Sequence, residues 1–130
     1  HIQIESRVIG DLARNHIIPT AVRYQNILIE NVNGIKSIYG DSFKTLAKEQ
    51  LLLIEQISQH IECINSLVTK MIEARKELNQ IADADKKAKG YCEKVKVLFE
   101  EIRYHCDKLE LTIDDELWPL TKYRELLFTK

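Results

Sequence analysis

A few histidine, cysteine and acidic side chains are the candidates for chemistry in this sequence of 130 residues. His60 and Cys63 stand three apart, so on a helix both could face one metal ion. A zinc site usually needs at least three protein ligands, which this pair alone does not supply. The adjacent His105 and Cys106 diverge by about 100° around a helix axis. We interpret these side chains as surface imidazoles and partly buried thiols.

The acidic residues offer two further possibilities, and both fit a structural interpretation better. Glu101 and His105 are four apart, but a di-iron bundle needs Glu-x-x-His on two helices and two more glutamates, so we expect a surface hydrogen bond. Asp114-Asp115-Glu116 lacks the alternating oxygen ligands and glycine of a calcium loop and is typical of a helix start or solvated loop. The sequence also lacks a phosphate loop, Gly-x-Ser-x-Gly and a Cys–His nucleophile pair. We therefore predict no catalytic, cofactor-binding or metal-binding residue.

Composition indicates one helical domain with no particular affinity for nucleic acid or membranes. Nineteen Lys and Arg against 20 Asp and Glu leave a net charge of −1. Four Gly and two Pro are too few for a loop-rich fold or a sandwich with many turns. No stretch approaches the run of about 18 uncharged apolar residues that a membrane helix needs, and no signal peptide is evident.

The three cysteines, Cys63, Cys92 and Cys106, are odd in number and widely spaced. Thiols in a reducing cytoplasm are therefore a simpler expectation than a secreted disulfide framework. The sequence starts without Met and already in a helical pattern, so we expect it to be part of a longer protein.

Three long helices must position these residues, and the pattern is strongest in the second, predicted from Ser42 to about Ala82. Asp41 and Ser42 are expected to cap its start. Alternate steps of four and three along this helix reach twelve positions, ten of them apolar. The twelve positions are Phe43, Ala47, Gln50, Ile54, Ile57, Ile61, Ile64, Val68, Met71, Arg75, Leu78 and Ala82.

The first helix is predicted over about residues 4–38. Pro19 lacks an amide donor and predicts a kink or break near Ile18. Gly34 and Gly40 offer end points, since glycine tolerates the left-handed conformation that closes a helix. Its apolar residues are Val8, Leu12, Ile17, Ile18, Ala21, Val22, Ile27, Leu28, Val32 and Ile35.

The third helix is predicted over about residues 84–111, where Gly90 weakens the first turns by about 1 kcal/mol relative to Ala. A short helix from about Thr121 to Phe128 should follow Trp118-Pro119. We expect an antiparallel up-down bundle of three long helices, with the apolar tail packed back on it or on a neighbour. The apolar positions of the third helix are Ala88, Tyr91, Val95, Leu98, Ile102, His105 and Leu109, widened by Cys92, Phe99, Cys106 and Ile113.

Two stretches are more specific than helical periodicity requires. One contains Asn15-His16-Ile17-Ile18-Pro19, and the other contains Asp114-Asp115-Glu116-Leu117-Trp118-Pro119-Leu120. Together they resemble the C-terminal end of type III glutamine synthetases, the long-chain bacterial class. The resemblance spans essentially residues 1–130, with the middle helix matching mainly in its pattern. It implies a single helical domain that follows an upstream catalytic domain absent from this sequence.

The resemblance implies a cytoplasmic parent enzyme that joins ammonia to glutamate with ATP and Mg or Mn ions, assembled as a dodecamer. The motifs for those ligands belong to the catalytic domain, so no cofactor is expected here. We expect a structural, interdomain or assembly role, with Asn15, His16, Arg23 and Trp118 as candidate contacts to the catalytic domain or neighbouring subunits. The alternatives are an autonomous helical module for protein–protein interaction and a small metal-dependent bundle enzyme.

Replacing Ile57 or Ile61 with Asp should unfold the bundle, because an unpaired charge at the centre of the apolar stripe is strongly destabilising. Thermal denaturation measures this directly. A melting temperature unchanged within about 2 °C would mean that the stripe is not core.

Overall fold

The computed structural model describes residues 2–113, which are helical throughout three long segments and contain no strand. We call residues 2–39, 48–79 and 84–112 the first, second and third long helices. The all-helical class and the three predicted helices are confirmed. Trp118 and the predicted helix from Thr121 to Phe128 lie outside the described residues.

Two of the three long helices contain a π-helical turn, and a short helix precedes the second. In chain order the elements are α1 (Ile2–Leu12), a π-helical turn (Ala13–Ile17), α2 (Ile18–Tyr39), a 3₁₀ turn (Gly40–Ser42), α3 (Phe43–Leu46), α4 (Lys48–Asn79), α5 (Ala84–Gly90), a second π-helical turn (Tyr91–Val95) and α6 (Lys96–Thr112).

The predicted irregularity near Ile18 is confirmed, and it takes the form of a wider turn with no break in the helix. The Ile18 amide donates to the Ala13 carbonyl five residues earlier, the hydrogen bond of a π-helix. Pro19 follows this wider turn directly and, having no amide hydrogen, donates no helical hydrogen bond of its own. The first long helix ends before Gly40, whose φ of 62° with a ψ of −135° is a backbone conformation that glycine adopts easily and other residues rarely do. Gly34 lies inside α2.

The second long helix departs from prediction at both ends. Ser42 makes no capping hydrogen bond with its side chain, and the chain leaves helical geometry at Ala47 (φ −104°, ψ 23°), so the predicted cap and the single unbroken helix are wrong. At the other end α4 stops at Asn79. The chain becomes extended at Asp83, whose Oδ1 accepts from the amides of Asp85 and Lys86 at 2.9 and 3.2 Å and caps α5. The predicted continuation to Ala82 is therefore wrong, because residues 80–83 connect the second long helix to the third.

The core follows the predicted stripes with local exceptions. Most buried side chains of the second and third long helices were predicted, but Ala82 and Ala88 are exposed. In the first long helix Val8, Val22 and Ile27 are exposed, whereas Ile9 and Ala13 are fully buried. The π-helical turn explains part of this, because its extra residue rotates the following side chains around the axis. The main buried cluster comprises Ile9, Ala13, Ile17, Ala21, Leu28, Ile57, Ile64, Val68, Met71, Leu78, Tyr91, Val95, Ile102, Cys106, Leu109 and Ile113.

Polar side chains connect the second long helix to its neighbours at several heights. Gln50 donates to Asn31 at 2.9 Å. Gln25 donates to the Ile54 carbonyl and to Ser58 at 2.9 and 2.7 Å. Toward the third long helix, the Tyr91 hydroxyl donates to Asn79 Oδ1 at 2.8 Å. The second long helix thus contacts both of the others.

Gly90 permits a close approach between the third long helix and the end of α4. A Cβ atom built on Gly90 would lie 2.2 Å from Cδ2 of the buried Leu78, far inside van der Waals contact. Gly34, by contrast, has no neighbouring atom within 4 Å of its Cβ position. The two glycines have the same helical preference and differ in packing.

Gly34→Ala should raise the free energy of unfolding by about 1 kcal/mol through helix propensity alone. Gly90→Ala gains the same propensity but must displace Leu78, so we expect it to be less stable than Gly34→Ala by about 1–3 kcal/mol. Urea denaturation of the two matched variants measures the difference. Equal stabilities would contradict the close packing of Gly90 on Leu78.

Candidate functional site

The π-helical turn of the first long helix is tied to the second long helix by Arg14. Its Nε donates to Asn65 Oδ1 at 3.1 Å, and a terminal nitrogen donates to the Asn65 carbonyl at 3.2 Å and to the Thr69 hydroxyl. The Thr69 hydroxyl also donates to the Asn65 carbonyl at 3.0 Å. One guanidinium therefore holds three groups of α4, a use of several donors that a lysine could not reproduce.

The structure places the three described contact candidates on the exposed side of this region. Asn15 Nδ2 donates to Asp11 Oδ1 at 2.6 Å. The Thr20 hydroxyl donates to the His16 carbonyl at 2.8 Å and accepts from an Arg23 terminal nitrogen at 3.1 Å. Thr20 is itself buried, and it links the His16 carbonyl to the Arg23 side chain across about two helical turns. Trp118, the fourth candidate, lies outside the described residues.

A pair of histidines forms the main cluster of titratable groups between α4 and α6. Nδ1 of His60 and Nδ1 of His105 are 2.9 Å apart, and the ring centroids are 5.1 Å apart at an interplanar angle of 59°. One ring must donate through its Nδ1 hydrogen while the other accepts, so the contact needs at least one neutral imidazole. The Tyr104 ring lies edge-on to His105, with centroids 5.2 Å apart.

The surroundings of the pair favour neutral imidazoles. Burial lowers the pKa of His60, and the positive charges of His105 and Lys108 lower it further. Burial also lowers the pKa of His105, while the Glu101 carboxylate opposes that shift. The predicted hydrogen bond between Glu101 and His105 is wrong: the His105 ring pairs with His60, and Glu101 acts on His105 only through its charge.

Cys63 lies beside this pair but does not complete a metal site with it. A surface cavity of about 360 Å³ is lined by Cys63 and His105 together with Glu62, Ser66, Leu67, Lys70 and Glu101. Among residues 2–113 no three His, Cys, Asp or Glu side chains are grouped so that they could hold a metal ion. Cys63 and Cys92 are exposed, Cys106 is buried, and within the same range none of them forms a disulfide.

A more apolar cavity of about 380 Å³ lies where α1 begins beside α5. Its walls are the side chains of Ile2, Gln3, Ala82, Ala84, Lys87, Ala88, Tyr91 and Cys92. Such a lining suits an apolar side chain better than a charged substrate.

None of the helices within residues 2–113 is long and apolar enough to cross a membrane.

Comparison with known proteins gives these features a context. The family described as "Glutamine synthetase C-terminal domain" matches residues 1–36, which include the π-helical turn and Pro19. A glutamine synthetase of Bacteroides fragilis (strain YCH46) is 50% identical over 130 residues, 99% of this chain. The resemblance to glutamine synthetases is confirmed.

The match covers only part of a glutamine synthetase. A type-3 glutamine synthetase of Dictyostelium discoideum is 26% identical over 132 aligned residues, again 99% of this chain. The chain spans 18% of the length of each of these two proteins.

Sequence reasoning missed the two contacts that best define this region. The sequence pattern assigns no role to Arg14, and it pairs His60 with Cys63 instead of His105. Both contacts join residues that are far apart in sequence, by 51 and 45 positions. Helical periodicity shows which side of a helix a residue occupies, but not which residue of another helix it meets.

The histidine pair should make stability depend on pH. Because both pKa values are lowered in the folded chain, the unfolded chain binds more protons once pH falls below about 6.5. Stability is therefore fully present above about pH 6.5 and is lost as pH falls below it. Glu101 weakens this effect on His105, and Lys108 strengthens it on His60.

Melting temperatures between about pH 7.5 and 5.5 should fall more steeply for the wild type than for His60→Gln or His105→Gln. The exposed His16 provides the matched control, since His16→Gln should keep the wild-type slope. Identical slopes in all four proteins would contradict a contribution of the histidine pair to the pH dependence of stability.

Proposed function

We propose that this chain is a non-catalytic helical domain of a glutamine synthetase, with a structural, interdomain or assembly role. The observation that carries the proposal is the 50% identity along 99% of the chain to a protein of which the chain covers only 18%. Most of that relative therefore lies outside the region it shares with this chain.

The side chains that looked most suited to chemistry support this role. Nδ1 atoms of His60 and His105 are engaged with each other, and Arg14 is engaged with Asn65 and Thr69. Each of these groups joins two helices. Their contribution is to hold helices in register, which suits a domain that supports another part of the protein.

We further propose the antiparallel up-down arrangement of the three long helices. Along the first long helix Arg14, Gln25 and Asn31 contact progressively earlier residues of the second, namely Asn65, Ser58 and Gln50. Along the third, Tyr91 contacts Asn79 and His105 contacts His60, again in reverse order. Antiparallel neighbours are also what short helix connections favour. The proposed bundle includes a short helix near the C-terminus, packed back on the three long helices.

We propose for the complete protein the activity that its relatives' name implies, the ATP-dependent ligation of ammonia to glutamate. Its nucleotide and Mg or Mn ions would be held by an upstream catalytic domain. The partners of this domain would be that catalytic domain and neighbouring subunits of a cytoplasmic homo-oligomer, a dodecamer by resemblance. Asn15, His16, Arg23 and Trp118 are the proposed contacts, and the first three lie in the stretch that the family match covers.

An autonomous protein–protein interaction module is the second candidate. It is favoured by the large apolar side chains that the helices expose, such as Ile4, Ile38 and Leu46. Such residues form partner sites when they are contiguous on a surface.

The proposed contacts can be tested in the complete glutamine synthetase that carries this chain. His16→Ala with Arg23→Ala should weaken subunit or interdomain packing, detected as smaller assemblies in sedimentation and a lower melting temperature. Lys86→Ala with Glu93→Ala, two exposed residues of the third long helix, is the matched control. Identical assembly and stability in both double variants would show that His16 and Arg23 are not part of the interface.

The isolated chain distinguishes the remaining possibilities. With ATP, glutamate and ammonia it should form no γ-glutamyl product, and measurable turnover would overturn the non-catalytic role. Light scattering that shows specific self-association at micromolar concentration would favour the interaction module. Stoichiometric metal in the purified chain would instead indicate a metal-dependent bundle enzyme.

A further inference from the structure

We propose that residues 114–130 dock on an apolar surface at one end of the three helices, formed by Ile27, Ile38, Leu46 and Leu53. We call this surface the open face. It belongs to the end where the first long helix turns into the second, and the third long helix stops before reaching it.

The first long helix contributes Ile27 and Ile38 to the open face. These residues are eleven positions apart, and Asn31 lies four positions after Ile27, so all three share one side of α2. Ile27 is 48% exposed and Ile38 is 75% exposed. Large apolar side chains that share a helix side and remain in water are a typical docking surface.

The rest of the open face comes from Leu46, the last residue of α3, and from Leu53 of the second long helix; these two residues flank Gln50. The hydrogen bond from Gln50 to Asn31, 2.9 Å long, joins this side of the second long helix to the side that carries Ile27 and Ile38. Leu53 and His60 are seven residues apart and share a side of α4, and His60 meets His105 of the third long helix. The open face therefore lies on the same side of the second long helix as His60, the side that the third long helix covers further along α4.

The end of α6 places the tail beside this surface. Thr112 lies seven residues beyond His105, so in the proposed antiparallel arrangement α6 ends near the level of Leu53, seven residues before His60. Ile113 is buried, and its backbone is extended (φ −80°, ψ 141°), which turns the chain out of the helix at this point. The tail consequently begins directly after the buried Ile113, at the end of α6 that is closest to the open face.

The tail has the length and composition to cover the open face. As a helix, residues 114–130 would extend about 25 Å, against about 18 Å for the part of α2 from Ile27 to Tyr39. A tethered segment also has an effective concentration near the millimolar range, an advantage over a separate partner. Its apolar side chains are Leu117, Trp118, Leu120, Tyr123, Leu126, Leu127 and Phe128.

Trp118 is the single tryptophan of the chain, so its fluorescence reports the tail alone. In the isolated wild-type chain, where Trp118 has no catalytic domain or neighbouring subunit to contact, we expect blue-shifted emission and weak quenching by acrylamide. Leu46→Glu and Ile38→Glu should each shift the emission toward that of the urea-unfolded chain and increase quenching, while circular dichroism keeps its helical signal. Val97→Glu in α6 is the matched control, because Val97 is 53% exposed and Leu46 is 52% exposed.

Several results would overturn the docking. They are wild-type emission equal to that of the unfolded chain, unchanged emission in both Leu46→Glu and Ile38→Glu, or the same shift in Val97→Glu. Sedimentation distinguishes the two possible occupants of the open face, the tail of the same chain and a second copy of the chain. A monomer supports the tail as occupant, whereas a concentration-dependent dimer that Leu46→Glu dissociates would assign the open face to another copy.

Discussion

The second long helix has to bury two faces at once, because it contacts both the first and the third long helices. Its central residues Ile57, Ile64, Val68 and Met71 are almost completely removed from water. Burying side chains of this size contributes about 1.5–3 kcal/mol each, far more than a typical surface polar contact. The positions of the first and third long helices therefore depend on this stripe. A polar substitution within it should affect both neighbours together.

Polar contacts at the margins of the stripe decide how the helices align. An apolar stripe tolerates sliding along its axis better than a set of hydrogen bonds at fixed heights does. Arg14 holds the first long helix at Asn65 and Thr69, and the His60–His105 pair holds the third. Unlike the apolar contacts, the histidine pair responds to pH. A domain that presents its surfaces to a larger enzyme needs such alignment, and this need connects the packing to the proposed structural role.

The sequence predicted the three long helices and most of the core, because apolar spacing and the glycine end point at Gly40 are local signals. Pro19 predicted an irregularity near Ile18 but not its π-helical form, and nothing in the sequence predicted the Ala47 interruption or the second π-helical turn. Helix propensity predicted only that Gly90 weakens its helix. It did not predict that Gly90 packs against Leu78, because Leu78 lies in another helix. The pairing of His60 with His105 could not be found for the same reason. The resemblance depended on particular residues around Pro19, and these coincide with the stretch that the family match covers.

The central claim is that the stripe of the second long helix is the most stable part of the molecule. Amide hydrogen exchange of the intact chain under native conditions, followed residue by residue with NMR, tests this directly. The slowest exchange should occur around Ile57 to Met71 and in the facing segments around Ile17 and Ile102, with faster exchange from Asn31 to Gln50. Slowest exchange between Asn31 and Gln50, or uniformly fast exchange in α4, would contradict the claim.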